Sequence, residues 1–255
     1  AYGRNLIIHQ REVLPMKVYA ITDIGKARPI NEDSFYLPKE NEPFCAVADG
    51  MGGHNAGEVA SAMAIQAFAE AMRRSEKRNA TAIHHAVLKA NAAVYEEASR
   101  DLSKRGMGTT FTALVADGRR IHIAHVGDSR AYLMRSGAIS RVTKDHTLVE
   151  EMVSQGLITE REARVHPKRN LVTRALGTSR DVDVDLIQLD VRDGEVLLMC
   201  SDGLSNYVPE HDMLRVVTGE GEWQDKLKEL VRIALDAGGS DNITAMVATF
   251  EEENR

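Results

Sequence analysis

The chain carries the dipeptide Asp-Gly four times, at 49–50, 117–118, 193–194 and 202–203. By default an Asp-Gly is a tight turn, because Gly supplies positive φ cheaply and Asp tolerates it. DGRR at 117–120 and VRDG at 191–194 each lie between two apolar runs and fit that reading. The other two pairs differ. AVADG (46–50) leads into MGGHNAG and an Ala-rich segment, and LLMCSDG (197–203) leads into LSNYV. Neither is followed by a second strand, so Asp49 and Asp202 stand where a side chain projects from a sheet edge. Further acids share that setting: Glu32 and Asp33 in RPINEDSF, Asp128 in AHVGDSRAY, and Asp241 in GGSDNITAMV, just before the last apolar run.

From spacing alone each of these acids could simply cap a turn, helix or strand start. If they converge instead, their carboxylates repel one another and their pKa values rise. Mg²⁺ or Mn²⁺ removes that cost, since both take oxygen ligands and keep several waters. Two such ions a few Å apart activate a water and stabilise an in-line phosphoryl displacement. Gly50 would let its own carbonyl approach a metal. Zinc is not expected, because the nine histidines and two cysteines show no ligand spacing.

The elements that must position these acids read as follows. Strands are expected at 18–22, 44–48, 110–116, 121–126, 131–134, 138–142, 184–189, 195–200 and 243–250. Helices are expected at 57–74, 80–104, 209–217 and 223–237. Hairpin signals imply antiparallel pairing rather than a Rossmann alternation. The expected fold is α+β, with two antiparallel sheets face to face and helices outside. Between 142 and 184 lie about 40 residues without a strand signal, too long for a plain connection and so expected to be functional. Within that stretch TLVEEMVSQGLITEREA (147–163) looks helical, and REARVHPKR (161–169) reads as a solvated face or as a surface for an acidic phosphopeptide.

The 255 residues fit one large domain, and no segment approaches a membrane span. A net charge of −6 argues against a nucleic-acid footprint. Cys45 and Cys200 are too few for a disulfide framework; they read as buried small hydrophobes in a reducing, cytoplasmic compartment. Residues 1–15 (AYGRNLIIHQREVLP) lack a signal-peptide core and read as an upstream extension, with one domain over 16–255 starting at Met16.

Seven stretches occur in one order: RPINEDSF, AVADGMGGHNAGEVAS, GTTFTALVADG, AHVGDSRAY, LVTRALG, LLMCSDGLSNYV and GGSDNITAMVA. Together they resemble the PP2C-type (PPM) metal-dependent serine/threonine protein phosphatases, and more narrowly the small stand-alone bacterial members, from about Val18 to Phe250. The resemblance implies a four-layer αββα sandwich with a flap at about 143–183. It implies hydrolysis of phosphoserine and phosphothreonine on proteins by a metal-bridging hydroxide, with Mn²⁺ or Mg²⁺ as two core ions and a weaker third. Asp49 would bridge the ions; the Gly50 carbonyl, Asp202 and Asp241 would complete the protein ligands. Glu32 would contact a metal-bound water, and Asp128 with Asp202 would hold the third ion. Arg28 would bind the substrate phosphate and Asp33 would orient waters or ligands. The implied partners are phosphoproteins, among them a bacterial Ser/Thr kinase and its substrates, and a monomer is expected. Met51 stands where eukaryotic members often carry a His proposed as general acid, which leaves that role to a metal-bound water or to His54. A pseudophosphatase would lack a metal acid or the phosphate-binding Arg, and here none is missing.

Overall fold

The computed structural model describes residues 16–39, 42–52 and 56–251. The expectations for residues 1–15 and for His54 fall outside them. Five strands form one antiparallel sheet: β1 (Met16–Asp23), β7 (Arg130–Arg135), β8 (Ala138–Arg141), β10 (Val196–Cys200) and β11 (Ile243–Phe250), in the order β1-β11-β10-β7-β8. The second sheet runs β2-β3-β5-β6-β9. It is built from β2 (Asp33–Tyr36), β3 (Phe44–Met51), β5 (Phe111–Asp117), β6 (Arg120–Val126) and β9 (Asp185–Asp190), with the short β4 (Gly108–Thr109) also pairing with β3.

Alternation along single strands builds the four layers, because successive side chains point to opposite faces. In β3, Phe44, Ala46 and Ala48 pack on α1 (Ala56–Arg74) and α2 (Ala80–Arg100), against Phe68, Ile83 and Val87. Cys45 and Val47 turn the other way, into a core between the sheets shared with Leu114, Ile123, Met199 and Met246. In β11, Ala245 and Val247 meet Leu227, Leu230 and Ala234 of α7 (Trp223–Asp236), while Met246 and Ala248 enter the inter-sheet core. Both faces are covered, so these strands read as unbroken apolar runs. The expected sandwich of two antiparallel sheets with helices outside is what forms.

Several boundaries differ from expectation for local reasons. The second helix ends at Arg100, because Asp101 leaves the helical region and caps a 3₁₀ turn at Leu102–Lys104 through the Ser103 N–H. The stretch 147–163 is two helices, α3 (Leu148–Ser154) and α4 (Glu160–Arg164), split at Gly156, whose φ is +71°. Each has its own Thr cap: Thr147 accepts from the Glu150 N–H, and Thr159 forms a capping box with Glu162. The VRDG turn does not close a hairpin; it carries the chain from β9 in one sheet to β10 in the other. Three elements were not foreseen: β2, the two-residue β4, and α5 (Asp202–Ser205), which opens at the acid of the fourth Asp-Gly. A further helix, α6 (Glu210–Thr218), precedes α7.

The registers bring one set of strand ends to a single edge. Asp33 opposes Asp49, Phe111 opposes Val126, Cys200 opposes both Arg130 and Ala245, and Asp23 opposes Ile243. The starts of β2, β5, β7 and β11 therefore lie beside the ends of β1, β3, β6 and β10.

Candidate metal centre

All five aspartates singled out in the sequence meet at that edge. Asp33 opens β2, Asp49 lies near the end of β3, and Asp128 sits in the crossing from β6 to β7. Asp202 follows β10 and Asp241 precedes β11. They are close enough to raise one another's pKa values. Asp49 stands well above the usual carboxylate range, first through burial and then through repulsion from Asp33, Asp202, Asp128 and Asp241. Asp33 is pushed up by burial and by Asp202 and Asp241; Asp128 by burial, Asp202 and Asp145; Asp202 by burial and Asp241.

Backbone and hydroxyl groups fix the cluster. The Asp49 N–H donates to Thr110 Oγ1 at 2.9 Å, and the Thr110 N–H donates back to the Asp49 carbonyl at 2.9 Å. Ser201 Oγ donates to Asp33 Oδ2 at 2.7 Å and accepts from the Thr244 N–H at 2.9 Å, tying the two sheets together across the site. Asn242 accepts from the Glu32 N–H and donates to the carbonyls of Ile24 and Ile30, holding the loop that carries Arg28 and Glu32. Ser201 and Asn242 were not singled out from sequence. Their only signal was adjacency to Asp202 and Asp241, because their partners lie about 40 to 220 residues away in the chain.

Glu32 and Gly50 form the other wall. The Glu32 carboxylate accepts the Gly57 N–H, and burial leads the causes that raise its pKa. A Cβ at Gly50 would sit 2.1 Å from the Gly57 carbonyl oxygen and 2.6 Å from that of Glu32. A Cβ at Gly203 would come within 1.9 Å of the Asn242 carbonyl oxygen. Only glycine lets the backbones close in this far. Arg28 reaches in from the loop before β2. Its Nε lies 2.9 Å from Asp241 Oδ1, its Nη2 donates to Asp241 Oδ2 at 2.9 Å, and Glu32 is 3.9 Å from Nη1.

The donor set suits hard divalent cations. It is all oxygen, its carboxylates repel one another, and Asp33 Oδ1 is buried without a hydrogen-bond partner. Among the described residues no three His, Cys, Asp or Glu side chains enclose an ion by themselves. A centre here would draw on the Gly50 carbonyl and on water as well, as Mg²⁺ and Mn²⁺ commonly do. The cysteines take no part: Cys45 and Cys200 are buried apolar packing, and burial pushes the Cys200 thiol up to about 12.

Arg130, next to Ser129 in the β6–β7 crossing, was also missed. It is bidentate on Asp145 and lowers the pKa values of Asp128 and Asp202, offsetting part of their repulsion. Behind Asp128, the Gly127 N–H donates to His146 Nδ1 at 3.0 Å, so His146 carries its proton on Nε2, toward Asp185. The His125 ring packs against it at a tilt, with ring centroids 4.9 Å apart. The histidines expected to be core or surface groups include these two core ones.

Beside the acids opens a cavity of about 900 Å³. Asp128, Asp202 and Asp241 line it together with residues of α3, α4 and the loop after α4. The stretch expected to be a flap thus walls the site.

The sequence model of the family described as protein phosphatase 2C matches residues 26–248. The serine/threonine phosphatase stp of Listeria monocytogenes is 36% identical over 233 residues, covering 89% of this chain and 92% of that protein. The crystal structure of the Mycobacterium tuberculosis serine/threonine phosphatase PstP/Ppp superposes with a TM-score of 0.85 at 38% identity, covering 93% of this chain and 99% of the other. The catalytic domain of PstP in complex with two manganese ions superposes with a TM-score of 0.84 at 36% identity, with 93% and 99% covered.

Proposed function

The chain belongs to the protein phosphatase 2C family, and on that premise we propose that it removes phosphate from phosphoserine and phosphothreonine side chains of proteins. The observation that carries this reading is the convergence of Asp33, Asp49, Asp128, Asp202 and Asp241 on one sheet edge, with Arg28 reaching into it. The ligands of Mn²⁺ or Mg²⁺ would be Asp49, the Gly50 carbonyl, Asp202 and Asp241, with Glu32 acting through water and Asp128 serving a weaker third ion. Ions held there would supply an activated water as nucleophile and would neutralise charge on the phosphate oxygens.

The remaining work falls to side chains of this protein. Arg28 has a planar fork that matches two phosphate oxygens, and at 45% exposure it is free to meet a substrate at the rim. Asp33, held by Ser201, keeps the neighbouring carboxylates and waters oriented. Arg130 offsets the charge of Asp128 and Asp202 from behind. A protein with this activity opposes a Ser/Thr kinase and shares that kinase's substrates.

Hydrolysis of p-nitrophenyl phosphate and of a phosphothreonine peptide, with Mn²⁺, with Mg²⁺ and with excess EDTA, tests the proposal. Metal-dependent release from both substrates, abolished by EDTA, is the expected result. No release from either, by folded protein in saturating metal, would overturn it.

A further inference from the structure

The cavity beside the acids is at the upper end of the range for ligand pockets, roughly 300–1,000 Å³, and holds far more than one phosphate group. Its walls mix two kinds of charge. Arg130 and Arg141 are neutralised by Asp145 and Glu150. Arg164, at the end of α4, and Arg169, in the loop that follows, also line the cavity. Among the described residues neither guanidinium has an ion-pair or side-chain hydrogen-bond partner. Arg164 sits in a last helical turn, where a cation has a local reason to be. Arg169 lies outside any helix and has no such reason. Asn170, next to it on the same wall, adds amide donors and an acceptor.

Resting on the phosphatase reading above, we propose that Arg164 and Arg169 read an acidic side chain, Asp, Glu or a second phosphorylated residue, close in sequence to the phosphoserine or phosphothreonine being hydrolysed. One continuous cavity joins Asp202 and Asp241, the expected metal ligands beside which the phosphate would sit, to both guanidiniums. A peptide lying in it meets them within a few residues, since an extended chain advances about 3.3 Å per residue. A guanidinium fork fits a carboxylate or phosphate better than any other side chain. Two acids on the same cavity, Glu160 and Glu210, would favour a basic neighbour instead. Each stands in the first turn of its helix, where an anion is stabilised by the helix itself. Arg169 has no equivalent local role, and this tips the balance toward an acidic partner.

The experiment compares kcat/KM of the whole protein in Mn²⁺ for phosphothreonine peptides that differ only in flanking residues. Ala flanks are set against Glu pairs on either side and against Lys pairs. Wild-type release of phosphate from p-nitrophenyl phosphate and from the Ala-flanked peptide tests the phosphatase reading separately. The expected result is a preference of roughly tenfold for a Glu-flanked peptide, expressed in KM and reduced by high salt. In the Arg164→Ala/Arg169→Ala double variant that preference falls to about one. In Arg164→Glu/Arg169→Glu the Glu-flanked peptide becomes poorer than the Lys-flanked one. The melting temperature of each variant reports folding, and both sites are exposed, so little change is expected. Equal kcat/KM for all peptides in the wild type, a preference for Lys flanks, or a Glu preference that survives in the double variant would each overturn the inference.

Discussion

Asp33 and Asp49 stand directly opposite each other on paired antiparallel strands. Like charges in that position destabilise a sheet, and here one carboxylate is buried with an oxygen left unpartnered. Replacing either acid would relieve the repulsion, so keeping both makes physical sense only if something positive is bound between them and their neighbours. The strain belongs to the centre rather than to the fold.

Stability should therefore depend on pH with an unusual sign when metal is withheld. The folded-state pKa values of Asp33 and Asp128 are raised to about 7 and about 8. A raised carboxylate binds more protons folded than unfolded, so its contribution is present at low pH and lost as pH rises through the folded value. The buried histidines act oppositely, but only below their unfolded value near 6.5: His125 is depressed to about 4 and His146 is also lowered. Between pH 7 and 8.5 the acids alone act. In EDTA the melting temperature should fall by about 2–6 °C over that window. In saturating Mn²⁺ it should be higher and should not fall. A flat or rising profile in EDTA would show that the acids are not coupled as described.

Asp33→Asn isolates the repulsion. Asn can still accept from Ser201 Oγ, so the link between the sheets survives while the charge facing Asp49 is removed. In EDTA at pH 8 the variant should melt higher than the wild type by a few degrees, about 1 kcal/mol. In Mn²⁺ its turnover should fall roughly 10–100-fold, the usual effect of losing a group that orients metal ligands. A variant that is destabilised and fully active would reverse both assignments.

Much of this could be read from the chain, and what could not has a common cause. β11 spans the same residues as expected, 243–250, because its faces contact two different cores and every position is apolar or small. The five aspartates were recognisable because each sits beside an apolar run. β2 was invisible: it is four residues long, starts with a buried acid, and exists only because β3 offers it a partner. The roles of Ser201, Asn242 and Arg130 depend on pairings across the sandwich, and no local pattern encodes those. The break between α3 and α4 was signalled by Gly156, which a helical periodicity spanning 147–163 overrode.

Asp202→Ala and Asp241→Ala should each remove more activity than Asp33→Asn, because both acids are expected to be direct ligands. The Asp202 side chain accepts from the Asn206 amide one turn on in the short α5 and caps no helix, so Ala at the start of α5 leaves the fold intact. Removing Asp241 frees an Arg28 that is already 45% exposed, which costs little. Turnover in Mn²⁺ should drop by more than roughly a hundredfold at near-normal melting temperature in EDTA. Near-normal turnover in either variant would remove that residue from the centre.

Gly50→Ala tests the approach of backbone to site. The added methyl would lie 2.1 Å from the Gly57 carbonyl oxygen, so β3 and the start of α1 must separate. Overpacking of this kind costs about 1–3 kcal/mol, or roughly 2–12 °C in a chain of this size. Calorimetric Mn²⁺ affinity should fall with it, since the Gly50 carbonyl moves. Unchanged affinity in a destabilised variant would make Gly50 a packing residue only.

Arg28 forks onto the carboxylate of Asp241, the same group expected to hold an ion. Its removal therefore takes nothing from the metal and returns Asp241 to it. Arg28→Ala should raise KM for phosphate esters roughly tenfold or more, while calorimetric Mn²⁺ affinity stays level or tightens. Arg28→Lys should recover only part of the loss, since an ammonium is a point charge and cannot fork two oxygens. If Mn²⁺ binding is lost instead and KM holds, Arg28 serves the metal ligands rather than the phosphate, and Asp241 depends on it for its position.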